Sequence, residues 1–200
     1  MPFWIAVIQS HPDDIGVLFA YIKDEGFYFS GSVQSTDWFI PSPVQGELLR
    51  LRNEFTDGVG AHILTVKQWV GTTDNGRERE ERERTIRPIT FFVLLYIAKI
   101  LTGFRLPSFA KKRDLYEGQL DGKKAVVSID DATGLGSFSG PYLEIEVLAP
   151  KHSPSKSVQL AIIQLASSIA PKATEVHRSY QEMLEASAAQ GRASASQIFT

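Results

Sequence analysis

Charged and apolar residues alternate along six short segments of this chain, and turn residues stand between most of them. The segments are Glu47–Arg52 (ELLRLR), His62–Lys67 (HILTVK), Arg77–Ile86 (REREERERTI), Lys111–Tyr116 (KKRDLY), Ala125–Asp130 (AVVSID) and Tyr142–Val147 (YLEIEV). Asp57-Gly58, Asp74-Asn75-Gly76, Asp121-Gly122 and Gly134-Leu135-Gly136 punctuate them. A period of two bounded by such turns is the pattern of antiparallel strands with one polar and one apolar face. Side chains two apart share a face. Arg50 therefore points with Arg52, Lys111 with Arg113 and Glu144 with Glu146, while Leu49, Leu51, Leu143, Ile145 and Val147 point the other way. A sheet with one wet face and one core face accounts for this much without any function.

The remaining segments supply helices. Pro2–Gln9 is apolar and β-branched and reads as a buried strand. Ser10 and Pro12 open a helix whose apolar stripe is Ile15, Leu18, Phe19 and Ile22 and which Gly26 closes. Pro88–Gly103 reads as an apolar helix. Ser153-Pro154 caps another, with Val158, Ile162, Leu165 and Ile169 on one face and Pro171 as its breaker. Thr174–Ala186 reads as a last helix and 187–200 as a small, polar tail. With 200 residues, no repeat and no long linker, the residues predict one α+β domain over 1–186, dominated by an antiparallel sheet.

Composition narrows the function classes. No cysteine is present, which excludes disulfides, thiolate metal sites and a cysteine nucleophile. Lys plus Arg is 21 against 23 Asp plus Glu, which argues against a generally basic nucleic-acid coat, though not against a local basic site, and nucleic acid is not expected as a partner. The opening MPFWIAVIQS carries no cation before its apolar run and does not read as a signal peptide. The longest apolar stretch, Phe91–Ala98, falls short of the roughly 20 residues a membrane span needs. The expectation is a cytoplasmic protein with no membrane partner. The four histidines show no ligand spacing, the glycines at 134–140 fit a hairpin rather than a dinucleotide loop, and Ser153-x-x-Lys156 lacks companion motifs. Arg77–Arg84 is compatible with either state. As a helix it would form opposite-charge pairs at i,i+4 worth about 0.2–0.5 kcal/mol each; as a strand it would place Arg77, Arg79, Glu81 and Glu83 on one face.

The order of the segments carries more than any one of them. R-L-R, then L-T-V-K, then E-R-E-R-T-I, then K-K-R-D-L-Y, then I-D-D-x-x-G-L-G-x-F, then L-E-I-E-V, and finally R-S-Y-Q-E-M-L at 178–184, resembles the CYTH family, the triphosphate tunnel metalloenzymes. That family includes class IV adenylyl cyclases, thiamine triphosphatases and inorganic triphosphatases. The likeness runs from about Gln34 to Glu185. It implies an eight-stranded antiparallel β tunnel with flanking helices and charged side chains inside. It implies a metal-dependent phosphohydrolase or nucleotidyl cyclase acting on a triphosphate or organophosphate, with Mg2+ or Mn2+ and a phosphorylated small molecule or nucleotide as partner. Position by position it makes Arg50, Arg52, Lys67, Arg79, Lys111 and Arg113 the substrate-binding residues. Glu81, Glu83, Asp130, Glu144 and Glu146 become the metal ligands, and Lys67, Arg113 and Glu81 the catalytic candidates. Arginine forks suit phosphate oxygens and lysine acts as a point charge, while Mg2+ takes carboxylates together with substrate phosphates. Seven inward cations, Arg77 included, against five carboxylates would leave two positive charges in excess, suited to a polyanion.

One departure bears on activity. The family opens with E-x-E-x-K on its first strand, where this chain has F-W-I-A-V-I-Q. The Q-x-D-x-Y-F pattern is also displaced: Thr36 stands where the acid belongs, with Asp37 beside it. Three readings follow: a member that binds a phosphorylated ligand without hydrolysing it, an enzyme using the remaining carboxylates with one metal, or a tunnel for a less charged substrate. Because Asp130, Glu144 and Glu146 persist, the weight at this stage falls on an enzyme.

Overall fold

The computed structural model describes residues 4–9, 15–40, 42, 44, 47–73, 76–147, 156–171, 174–176 and 178–197. The helix caps expected at Ser10 and Ser153-Pro154, the Asp74-Asn75 turn, and His11, His152 and His177 lie outside them. Nine strands are found among the described residues: β1 (Trp4–Gln9), β2 (Tyr28–Ile40), β3 (Glu47–Thr56), β4 (Val59–Thr73), β5 (Gly76–Thr85), β6 (Ser108–Leu120), β7 (Lys123–Thr133), β8 (Gly140–Val147) and β9 (Thr174–Glu175). Four helices accompany them: α1 (Ile15–Asp24), α2 (Pro88–Leu101), α3 (Lys156–Ile169) and α4 (Tyr180–Gln197).

All pairings are antiparallel, in the order β5-β4-β3-β2-β6-β7-β8-β1-β9. Two hairpins turn on Asp-Gly pairs, Asp57-Gly58 and Asp121-Gly122, with positive φ at all four residues (51°, 80°, 51° and 70°). That is the two-residue turn whose twist matches the strands it joins. The Arg/Glu run is strand β5. It pairs with β4 from Thr85 to Gly76 and forms one end of the sheet, where charged side chains blunt an exposed edge.

The α+β class, the antiparallel sheet and the flanking helices are as expected, but the strand count and the closure differ. The expectation was a closed eight-stranded tunnel; the ladder instead runs from β5 to β9, and no pairing among the described residues joins those ends. The free edge of β1 is taken at Ile8 and Gln9 by β9. The segment expected to begin the last helix at Thr174 thus supplies strand residues. Helix α4 begins only at Tyr180 and runs to Gln197, through most of the stretch read as a tail.

Three clusters hold the layers together. Helices α1 and α3 cover one side of β6–β8 through Leu18, Ile22, Val158, Ile162, Leu165 and Ile169 against Tyr116, Val127, Leu143, Ile145 and Val147. Every apolar position expected on α3 is buried there. Helix α2 covers β2–β4: Phe91 and Leu95 pack on Leu51, with Trp38, Ile40 and Leu64 around them. On the opposite face, α4 brings Tyr180, Met183 and Leu184 onto Phe39, Phe109, Ala132 and Tyr142. These last four strand residues alternate in phase with the charged set, so α4 seals one end of the charged face with an apolar cap.

Candidate functional site

The site is built by strand parity. On β2, Ser35, Asp37 and Phe39 are buried, and the ladder sets Asp37 opposite Arg52 and Phe39 opposite Arg50. Arg50 faces Thr65 on β4, which faces Glu83 on β5. On the other side Ser35 faces Lys111 on β6, Arg113 faces Asp130 on β7, and Ser128 faces Glu144 on β8. One sheet face therefore gathers residues that lie more than a hundred positions apart in the chain.

Two ion-pair groups fill it. In the first, Arg52 grips Asp37 with both arms, Nε to Oδ1 at 2.6 Å and Nη2 to Oδ2 at 2.9 Å, and reaches Glu54 at 3.4 Å. Arg50 donates to Glu83 at 2.8 Å and to Thr65 at 3.1 Å, and lies 3.9 Å from Asp37. In the second, Arg113 donates to both Asp130 oxygens at 2.5 and 2.6 Å and to Glu144. Lys111 Nζ donates to Asp130 at 3.1 Å, and the Tyr180 hydroxyl donates to it at 2.8 Å. Lys111 also sits 5.2 Å over the Tyr180 ring, a cation–π contact. The wet-sheet reading fails here, because Asp37, Arg50, Lys111 and Asp130 are all buried.

Burial and pairing shift these groups in definite directions. Burial alone would raise the Asp37 carboxyl, but the hydrogen bonds and charge of Arg52, with Arg50 and Lys111 nearby, hold it below the ordinary carboxylate range. Burial likewise works against ionised Asp130 and is overcome by Lys111, Arg113 and Tyr180, so it too sits low. Lys111 is pulled down, by burial first and by the Arg113 charge, with Asp130 opposing. Tyr180 is pushed far up by burial and by the Asp130 and Glu144 charges, so its hydroxyl keeps its proton and donates.

A linkage prediction follows. The unfolded chain binds protons on Asp37 and Asp130 at higher pH than the folded one, so their stabilisation is complete above the ordinary carboxylate pKa, about 4, and is lost as pH falls through and below it. Thermal melts from neutral to acid pH should be flat above about pH 5 and fall steeply below about pH 4. Asp37→Asn should lower the neutral plateau and flatten the acid limb; an unchanged acid limb would contradict the assignment.

The structure brings Arg50, Arg52, Lys111, Arg113, Glu83, Asp130 and Glu144 together as the sequence grouped them. Lys67 lies on β4 opposite Leu48 and Glu81, and Glu146 on β8 opposite Val126 and Ile5. Arg79 and Glu81 occupy register positions on β5, and their side chains lie outside the described set. Sequence reasoning missed Asp37, Glu54, Thr65 and Tyr180. Adding Asp37 and Glu54 cancels the expected surplus of positive charge. A cavity of about 360 Å3 lies alongside, lined by Gln34, Thr36, Asn53, Lys112, Asp131 and Thr133, which are out of phase with the charged set, and reached by Ser35 and Lys111.

No family model matches the sequence, and neither does any curated protein. Solved structures do match. HpAC1 of Hippeastrum, a proposed adenylyl cyclase with a dominant triphosphatase activity, superposes with a TM-score of 0.64 at 14% identity, over 93% of this chain and 96% of its own. The fold is CYTH-like. The PH1819 protein of Pyrococcus horikoshii gives 0.59 at 22% identity, over 90% and 98% of the two chains. The Schizosaccharomyces pombe Mediator head module gives 0.53 at 9% identity, over 88% of this chain and 100% of the matched one.

Within this CYTH-like sheet, the first strand departs in the way its sequence announced. Val7 stands directly opposite Glu144 and Ile5 opposite Glu146, so the wall beside the β8 carboxylates is apolar by composition. Among the described residues no three His, Asp or Glu side chains converge as a metal site. Asp130 already accepts from Lys111, Arg113 and Tyr180, Glu144 from Arg113, and Glu83 from Arg50 and Thr65. Mg2+ requires several free oxygen ligands in near-octahedral array. Of the expected Mg2+ or Mn2+ ligands Glu81, Glu83, Asp130, Glu144 and Glu146, Asp130 has both oxygens engaged by Lys111, Arg113 and Tyr180 and as found does not fit a metal, whereas the contacts of Glu83 and Glu144 fall on one oxygen each, Oε1 and Oε2.

Proposed function

We propose that the charged face binds a triphosphate or related organic phosphate through Arg50, Arg52, Lys111 and Arg113. The observation that carries this reading is the burial of Arg50 and Lys111, with Arg52 and Arg113 partly buried, on one sheet face beside Ser35, whose hydroxyl is buried without a hydrogen-bond partner. Each arginine presents a planar fork already oriented by a carboxylate, and Lys111 adds a compact charge held over Tyr180. A phosphate chain would exchange with the carboxylates for the outward N–H groups, so binding should compete with the internal ion pairs and weaken with salt. The apolar first-strand residues and the engagement of both Asp130 oxygens by Lys111, Arg113 and Tyr180 favour binding without metal-assisted hydrolysis.

A second reading, a phosphohydrolase or nucleotidyl cyclase, is favoured by the persistence of Glu144 and Glu146 on β8 and by the fold shared with HpAC1. The test joins the two. Thermal shifts are recorded with tripolyphosphate, ATP and thiamine triphosphate, with and without MgCl2 or MnCl2, and phosphate and cyclic nucleotide release are measured in parallel. A ligand at a hundred times its Kd should add about 2.7 kcal/mol of stability. The gain should disappear in Arg50→Ala/Arg52→Ala and shrink in Arg52→Lys, which keeps the charge and loses the fork. Turnover abolished by Glu144→Gln would establish the second reading. No shift with any phosphate would overturn both.

A further inference from the structure

Helix α2 has two apolar faces, and the sheet uses one. Phe91, Leu95 and Ala98, at i, i+4 and i+7, are buried against β2–β4. Ile89, Phe92, Val93, Tyr96, Ile97 and Ile100 recur with the same helical period on the outside, and Leu101 and Phe104 extend them. Tyr96 is 60% exposed, Leu101 78% and Phe104 70%. A helix lying on a domain surface ordinarily turns charged residues to water. A contiguous apolar stripe of this kind marks a surface that meets something other than water.

The charges around the stripe say what that is. From Arg84 to Arg105 the chain contains no Asp or Glu, while Arg84, Arg87, Lys99 and Arg105 are all cationic. Arg84, Arg87 and Arg105 are exposed at the two ends of the helix. Arg87 occupies the N-cap of α2, where no side chain caps the helix and no acid lies in the first turn. A cation there opposes the helix dipole, so helix stability alone does not explain it, whereas an external anion would satisfy both the arginine and the first amides. A second copy of the chain is a poor occupant. Whichever way two α2 helices paired, parallel or antiparallel, cationic ends would meet cationic ends with no acid between them.

We propose that the outer face of α2 docks on an anionic lipid bilayer, its apolar stripe entering the headgroup boundary and Arg84, Arg87 and Arg105 meeting lipid phosphates. At 14 residues the helix is too short to span, so this is surface attachment of the interfacial kind. The charged sheet face lies on the other side of β2–β4 and stays open to its own ligand.

The test is vesicle co-sedimentation of the full chain with phosphatidylcholine vesicles and with vesicles containing about 30% phosphatidylserine. Binding is expected to the anionic vesicles, at least about tenfold weaker to neutral ones and reduced in high salt. Tyr96→Ser/Ile100→Ser should abolish it, and Arg84→Gln/Arg87→Gln/Arg105→Gln should reduce it to the neutral-vesicle level, both with unchanged melting temperature because every altered side chain is exposed. Failure to sediment with either vesicle overturns the proposal. So does equal binding of the wild type and both variants, or a dimer on size exclusion that the Tyr96/Ile100 variant dissolves while vesicle binding is unaffected.

Discussion

Asp130→Asn should cost about 3–5 kcal/mol of unfolding free energy, the range for breaking a buried ion pair by removing one partner. Asp130 has no exposed surface and accepts four hydrogen bonds, two from Arg113 and one each from Lys111 and Tyr180. Asparagine preserves the volume but removes the charge, and its amide presents donors to groups that are donors already. Lys111 is left in the interior with its principal counter-charge gone. For a chain of 200 residues the loss corresponds to a fall in melting temperature of about 2–4 °C per kcal/mol. The origin of the loss can be isolated. Adding Lys111→Met to Asp130→Asn removes the stranded ammonium and should restore part of the stability, so the two substitutions should be non-additive in a double-mutant cycle. A loss under about 1 kcal/mol for Asp130→Asn would show that the group is solvated rather than enclosed.

The strands could be read from the chain because alternation and Asp-Gly turns are local signals, and local signals survive without tertiary context. The pairing of Arg50 with Arg52, and of Lys111 with Arg113, came from parity alone. Asp37 escaped because it was judged against a spacing in which Thr36 held the acid's place. Parity with Ser35 and Phe39 would have put it on the arginine face, where it holds Arg52. Arg77–Arg84 satisfied helix and strand rules equally, and the choice was made by β4, whose unpaired edge offered ten ladder partners. Tyr180 could not be found from sequence, since its hydroxyl reaches Asp130 only because α4 docks on Phe39, Phe109 and Tyr142, contributed by three separate strands. Closure was not legible for a related reason: whether two sheet edges meet depends on tertiary packing, and among the described residues a two-residue strand pairs with Ile8 and Gln9 of β1.

Phe91→Ala should destabilise the fold by about 3–5 kcal/mol, the usual cost of deleting a buried aromatic ring. Phe91 is 1% exposed and is the contact through which α2 holds β2, β3 and β4 together. Its ring stacks on His62 with centroids 4.4 Å apart and meets Trp38 edge-on at 5.8 Å. It also packs on Leu51, which lies between Arg50 and Arg52 in the chain, and Trp38 follows Asp37. The apolar side of these strands therefore sets the positions of the charged side, one residue out of phase. Loss of the ring should loosen both, lowering the denaturation midpoint and weakening phosphate binding at temperatures where the variant is still folded. Phe91→Leu keeps most of the buried volume and should recover most of both. If Phe91→Ala unfolded earlier yet bound phosphate at full strength while folded, the arginines would be held by their ion pairs alone, and the helix behind them would serve only stability and the outer surface it presents.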